Sequence, residues 1–154
     1  MRFELHPNLA KKIWIADLPL CAVLMEDEKH YPWLFLVPRR ANASRMIDLS
    51  LEDQIQCIRE LDYAQKIIWE LFGPTQLNVA AIGNKTPQLH IHVIGRFAND
   101  PAWPGTVWDH SVREKLDEEN RIRRVDVFKS YFNRFDSAYI GSENHASRVG
   151  KGRS

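Results

Sequence analysis

The sequence predicts an α+β domain: an antiparallel sheet with one long helix packed on it and a second helix near the C-terminal end. Three observations predict this. Short apolar, strand-like runs cluster before residue 40 and again between residues 77 and 94. One long amphipathic pattern separates the two clusters. Strands and helices do not alternate one for one, which argues against a parallel βαβ sheet.

Each element has its own justification. Residues 12–25, KIWIADLPLCAVLM, read as two short strands around Asp17-Leu18-Pro19. A polar turn over residues 26–30 leads to WLFLV at 33–37, an apolar strand stopped by Pro38 and the basic pair Arg39-Arg40. Ser50, with Asp53 three residues on, caps a helix over 51–72. Leu51, Ile55, Ile58, Leu61, Ile68 and Leu71 form its apolar stripe, and Gly73-Pro74 ends it. LNVAAI at 77–82 is a strand, 83–87 a loop and 88–94 the next strand; a short Gly- and Pro-containing loop between them predicts an antiparallel hairpin. Ser111 and Glu114 form a capping box for a second helix over 112–135, with Leu116, Val125, Phe128, Phe132 and Phe135 on one face. Residues 1–140 are expected to form a single domain and 141–154 a flexible polar tail.

Composition bounds the function. The chain has 154 residues, 44% hydrophobic and 27% charged, as in ordinary globular domains. A chain of this length buries about 70% of its unfolded surface. The net charge of +1, from 21 basic and 20 acidic residues, gives no argument for nucleic-acid or membrane partners. The two cysteines, Cys21 and Cys57, make neither a disulfide framework nor a zinc spacing. No signal-peptide pattern opens the chain and no run is long enough to span a membrane, so a cytoplasmic protein is expected.

The chemistry concentrates in GNKTPQLHIHVI, residues 83–94. In a strand, alternate side chains share a face. Gln88, His90 and His92 therefore share one, and Leu89, Ile91 and Val93 turn the other way into a core. The first face is expected to be wet, as in a half-solvated antiparallel sheet. Three readings fit two histidines there. They are surface residues without a role, or two ligands of a metal whose other ligands stand at no signature spacing, or groups for nucleophilic catalysis on phosphorus. Asn84, Lys85 and Thr86, with the backbone N–H groups of their loop, would offer an amide, a cation and a hydroxyl to a phosphate.

The pattern Gln88-Leu89-His90-Ile91-His92-Val93-Ile94 resembles the His-φ-His-φ-His-φ-φ motif of the histidine triad (HIT) superfamily of nucleotide hydrolases and transferases. LFLVPRR at 34–40, the long helix after it, and DPAWPG at 100–105 resemble the family's surroundings. The likeness covers roughly residues 10–108 and is nearest to bacterial HIT-domain, diadenosine tetraphosphate hydrolase-like proteins. It implies a homodimer that binds a small-molecule nucleotide and needs no metal or other cofactor. It implies His90 as the nucleophile and His92 as a phosphate contact. Asn78, Asn84 and Lys85 are implied at the phosphate, Asp27 at the ribose, and Trp103 reaching a partner's site. Two imidazoles of the family are replaced, one by Gln88 and one, upstream, by Trp33. The family's anchor for the nucleophile is the carbonyl of the first motif residue, which a glutamine keeps. A glutamine cannot carry a proton near neutral pH, so general-acid help to the leaving group, typically worth about 10²–10⁴ in rate, is lost at that position. On this reading Gln88→His raises turnover. The implied activity is hydrolysis or transfer at a phosphoanhydride or phosphoramidate through a nucleotidyl-histidine; the alternative is a nucleotide-binding protein with little turnover.

Overall fold

A computed structural model describes residues 2–135; the expected tail and the last residues of the 1–140 domain lie outside the described residues. The elements are α1 (Pro7–Ala10), β1 (Ile13–Asp17), β2 (Cys21–Met25), β3 (Trp33–Pro38), α2 (Leu51–Phe72), β4 (Gln76–Ala80), β5 (Ile91–Arg96) and α3 (Glu118–Phe132). The strands form one sheet in the order β1-β2-β3-β5-β4, antiparallel throughout. The architecture is α+β, as the sequence predicts.

Both long helices lie against the same side of the sheet. Leu34, Leu36, Ile91 and Val93 from the sheet join Ile67 and Ile68 of α2 and Phe128 and Phe132 of α3 in one core. α2 starts where Ser50 accepts a hydrogen bond from the Asp53 N–H and ends at Gly73, whose φ of 56° is left-handed. The helix lies tight on the sheet at Gly95. A Cβ there would sit 2.8 Å from Pro32 Cγ and 2.9 Å from Ile68 Cγ2, so only glycine fits. The buried Glu60 fastens α2 to the β1–β2 turn, accepting from the Leu20 and Cys21 N–H groups at 3.0 and 2.7 Å. Cys21 and Cys57 are free thiols buried in this core. The predicted stripe divides: Leu61 and Ile68 are buried and Leu71 packs at the edge, whereas Leu51, Ile55 and Ile58 point outward. Cys57 and Ala64 are the reason, since the face carrying these small residues is the one that lets α2 approach.

Three expectations are corrected. The second helix begins at Glu118, not residue 112. The 112–116 stretch is held extended by the turn after β2: the Glu114 N–H donates to Glu28, the Leu116 N–H to Asp27, and the Glu114 carbonyl accepts from the Lys29 N–H. Asp117 then caps α3, accepting from the Asn120 N–H at 2.8 Å. The motif strand begins at Ile91, not residue 88. Gln88 and Leu89 bond elsewhere, as the Leu89 N–H donates to the Ala43 carbonyl and the Gln88 carbonyl meets the His90 ring. The hairpin with β4 is antiparallel as predicted, with Ala80 opposite His92. Finally, the imidazole face is not wet. Phe3, Leu5 and Leu9 from the N-terminal segment and Ala102 and Val107 from the segment after β5 cover it, packing on Trp33, Phe35, Val37 and Ile94.

Candidate active site

His92 lies in β5 and His90 just before it; β5 is an interior strand, between β3 and the edge strand β4. His92 is opposite Phe35 in the register, and the His90 and His92 rings are 5.1 Å apart. Backbone geometry fixes His90. Its Nδ1 lies 2.7 Å from the Gln88 carbonyl oxygen, which can only accept, so Nδ1 carries the proton and Nε2 presents a lone pair. His92 is fixed in the opposite sense. The Trp33 indole N–H donates to His92 Nδ1 at 3.0 Å, so Nδ1 is the acceptor and the proton sits on Nε2. One ring therefore offers a nucleophilic nitrogen and its neighbour an N–H donor. That is the division of labour a phosphorus centre needs: attack by one, a hydrogen bond to a charged oxygen by the other.

The surroundings keep His92 neutral. It is boxed by Phe35 at 4.9 Å, Trp108 at 5.1 Å and Trp33 at 5.8 Å. Burial, then repulsion from His90 and Lys12, pushes its pKa down to about 3. Lys12 is the nearby cation: it pairs with Glu26 at 2.6 Å and lies 5.5 Å over the Phe35 ring. His90 and His92 are 8% and 6% exposed, so both are reached only through the segments that cover them.

A HIT-domain family model matches residues 9–99. This chain belongs to the HIT domain family. No curated protein matches it. Solved structures do: a histidine triad protein of Bradyrhizobium japonicum is 36% identical, with a TM-score of 0.82 over 85% of this chain and 98% of that one. A histidine triad protein of Marinobacter aquaeolei VT8 is 34% identical, with a TM-score of 0.83 over 88% of this chain and 99% of that one. A diadenosine triphosphate hydrolase of Plasmodium falciparum shares the fold at 19% identity, with a TM-score of 0.58 over 80% of this chain and 78% of that one.

In this HIT domain the sequence-expected residues are brought together only in part. His90, His92 and the Gln88 carbonyl come together. Asn78 shares their face, opposite Ile94, but its Oδ1 accepts from Arg96 at 2.9 Å. Asp27 is engaged elsewhere: its carboxylate accepts from the Leu116 N–H at 3.0 Å and pairs with Arg121 at 3.5 Å. Asn84 and Lys85 are exposed on the loop before the motif, and the Thr86 hydroxyl accepts from the Asn8 side chain at 3.0 Å. Trp103 is 36% exposed, with the Arg96 guanidinium 5.8 Å from its ring.

Sequence reasoning missed the ion pair beneath Trp103. The side chains of Arg96 and Asp100 are each 2% exposed and are paired through two hydrogen bonds of 2.8 and 3.0 Å. Asp100 also accepts from the Phe97, Ala102 and Trp103 N–H groups, and so folds the turn that carries Trp103. Burial opposes ionisation of Asp100, but Arg96 and these amides outweigh it and hold the carboxyl below its ordinary range. The signal was present as Arg96-x-x-x-Asp100 in a turn. Its charges looked like ordinary loop residues. Among the described residues, no three His, Cys, Asp or Glu side chains cluster to hold a metal, and no helix is long and apolar enough to cross a membrane.

Proposed function

We propose that this chain is a nucleotide hydrolase or nucleotidyl transferase that works through a covalent nucleotidyl-His90. The observation that carries the reading is the pair of complementary tautomers, a lone pair on His90 Nε2 beside an N–H on His92 Nε2. His90 Nε2 attacks the α-phosphorus; the P–N bond forms as the bond to the leaving group breaks, and that group departs with the electron pair. The imidazole becomes cationic and its Nδ1–H bond to the Gln88 carbonyl strengthens. His92 donates to a non-bridging oxygen. Water then attacks phosphorus, releases a proton to solvent, and the P–N electron pair returns to His90. The side chain at 88 has no proton to give near neutral pH, so leaving groups that depart as stable anions are favoured. This supports phosphoanhydrides, such as dinucleoside polyphosphates, over phosphoramidates with amine leaving groups.

The second reading is a nucleotide-binding protein with little turnover. Its support is that both imidazoles are more than nine-tenths buried. One experiment separates the two. Incubation with adenine and guanine dinucleotides, followed by mass spectrometry of the intact chain, should trap a nucleotidyl adduct. His90→Asn should abolish the adduct and lower single-turnover rates on the order of 10³-fold or more, while nucleotide binding persists. Binding without adduct or turnover in the wild type would establish the second reading.

We also propose a cytoplasmic homodimer whose domain spans residues 1–140. Leu51, Ile55 and Ile58 along α2 are 72%, 47% and 59% exposed, and Val79 on the edge strand β4 is 40% exposed. Such a surface supports two-fold association. Light scattering at micromolar concentration should give about twice the 18.0 kDa chain mass, and Ile55→Lys should halve it.

A further inference from the structure

The side chain of Gln88 does not face the reaction as a substitute imidazole. Its Oε1 accepts from the His6 N–H at 2.8 Å, and its Nε2 donates to the Glu4 carbonyl at 2.8 Å. A primary amide that meets an N–H and a C=O of the same segment does what the peptide group of a neighbouring strand would do. A third tie lies beside it, from the Asn8 side chain to the Thr86 hydroxyl at 3.0 Å. The segment so held places Leu9 in the aromatic cluster of Trp33 and Phe35, with Phe3 and Leu5 packed against it. Along the segment runs an open groove of about 550 Å³, bounded by residues 2–7, the turn at 41–44, Pro87 and Gln88, and lined by neither imidazole.

We propose that Gln88 is a positioning residue whose carboxamide clasps residues 4–8 over the imidazole face, making the N-terminal segment a wall of the ligand pocket. A histidine at 88 cannot perform this task. The donor and acceptor of a carboxamide lie side by side and point the same way, whereas the two nitrogens of an imidazole point apart. The exchange of histidine for glutamine therefore removes a titrating group and gains a structural tie. It reverses the expectation from the motif: Gln88→His opens the wall rather than improving turnover. That the wall faces a nucleotide rests on the function proposed above; the clasp itself does not.

The experiment is amide hydrogen exchange on the full chain, comparing wild type with Gln88→His and Gln88→Met. The methionine keeps the length of the side chain and loses both hydrogen bonds. Exchange over residues 4–8 should accelerate about tenfold or more in both variants, the size that two such bonds imply, while β3 and β5 exchange as in the wild type. Asn8→Ala, at an exposed position, should accelerate the same residues to a smaller extent, and serves if either Gln88 variant fails to fold. Unchanged exchange over residues 4–8 would overturn the clasp. For the wall, AMP and GMP are the probes. One of them should slow exchange over residues 3–9 in the wild type and bind several-fold more weakly to Gln88→Met. Binding without that protection would overturn the wall while leaving the active-site reading intact. Failure of both nucleotides to bind would overturn the wall and the nucleotide reading together, with the wild-type-to-variant comparison still deciding the clasp.

Discussion

The two faces of the sheet are covered by different kinds of structure. On the helix side, aliphatic and phenylalanine side chains meet two regular helices, and close approach is set by volume, as at Gly95 under Ile68. On the imidazole side, segments with little regular structure lie on an aromatic and polar floor, and each is tied by particular hydrogen bonds: residues 4–8 by Gln88 and Thr86, residues 97–103 by Arg96 and Asp100. The helix face holds its shape mainly by fit, with Glu60 as a buried polar fastening. The other face holds its shape because particular polar groups would be stranded if it opened. A site that must admit a ligand belongs on the second kind of surface, where a cover can be released bond by bond without emptying a core.

The comparison can be broken most directly at the buried ion pair. Asp100→Ala leaves the Arg96 guanidinium buried without a counter-charge and should cost about 3–5 kcal/mol in denaturant unfolding. Asp100→Asn, which keeps part of the hydrogen bonding, should cost less. Equal losses for the two would mean that the charge, which both remove, and not the hydrogen bonding of the turn, is what matters. On the helix face the corresponding break is one of volume. Gly95→Ala forces a methyl against Pro32 and Ile68 and should cost about 1–3 kcal/mol, with the pKa and tautomer of His92 unchanged. A shift in His92 would show that the faces are coupled.

Acid sharpens the contrast further. The His92 pKa is depressed from 6.5 to about 3 by burial, His90 and Lys12, so between those values the unfolded chain binds a proton that the folded chain refuses. Stability is therefore full above pH 6.5 and falls as pH drops below it, by about 1.4 kcal/mol for each pH unit. Unfolding midpoints measured from pH 7 to pH 4 should follow that slope in the wild type and lose most of it in His92→Asn. The smallest effect is expected at the indole that sets the tautomer. Trp33→Phe keeps an aromatic ring and removes the N–H, which should cost about 1 kcal/mol. Its proper readout is the ¹⁵N spectrum of His92, where a population protonated on Nδ1 should appear. A spectrum still showing only the Nε2–H form would mean that something other than Trp33 chooses the tautomer.

How much of this was legible in the sequence depended on whether the signal was local. The ends of α2 could be read from Ser50, Asp53 and Gly73 because capping is decided within a turn. The anchor of His90 was implied by the resemblance to the family motif, and it holds here because a backbone carbonyl survives any side chain at 88. The faces could not be read. Phe3, Leu5 and Leu9 have no periodicity that marks a cover, and the partners of Gln88 lie 82 and 84 residues away. Asp27 stood in the expected turn, but its direction was set by the Leu116 N–H, 89 residues on. The same long-range contacts kept 112–116 out of the helix that Ser111 and Glu114 suggested.

Trp33 and Trp108 stand at right angles, 6.4 Å apart, with the His92 ring within 5.8 Å of the first and 5.1 Å of the second. The Trp108 N–H is buried and has no hydrogen-bond partner among the described residues. Indole emission responds to the polarity and charge around the ring, and here two indoles form part of the wall around His92. These two indoles are thus built-in optical reporters of the surroundings of His92. Their ultraviolet emission, seen against that of the exposed Trp14, Trp69 and Trp103, would respond without any added label to a change beside that ring.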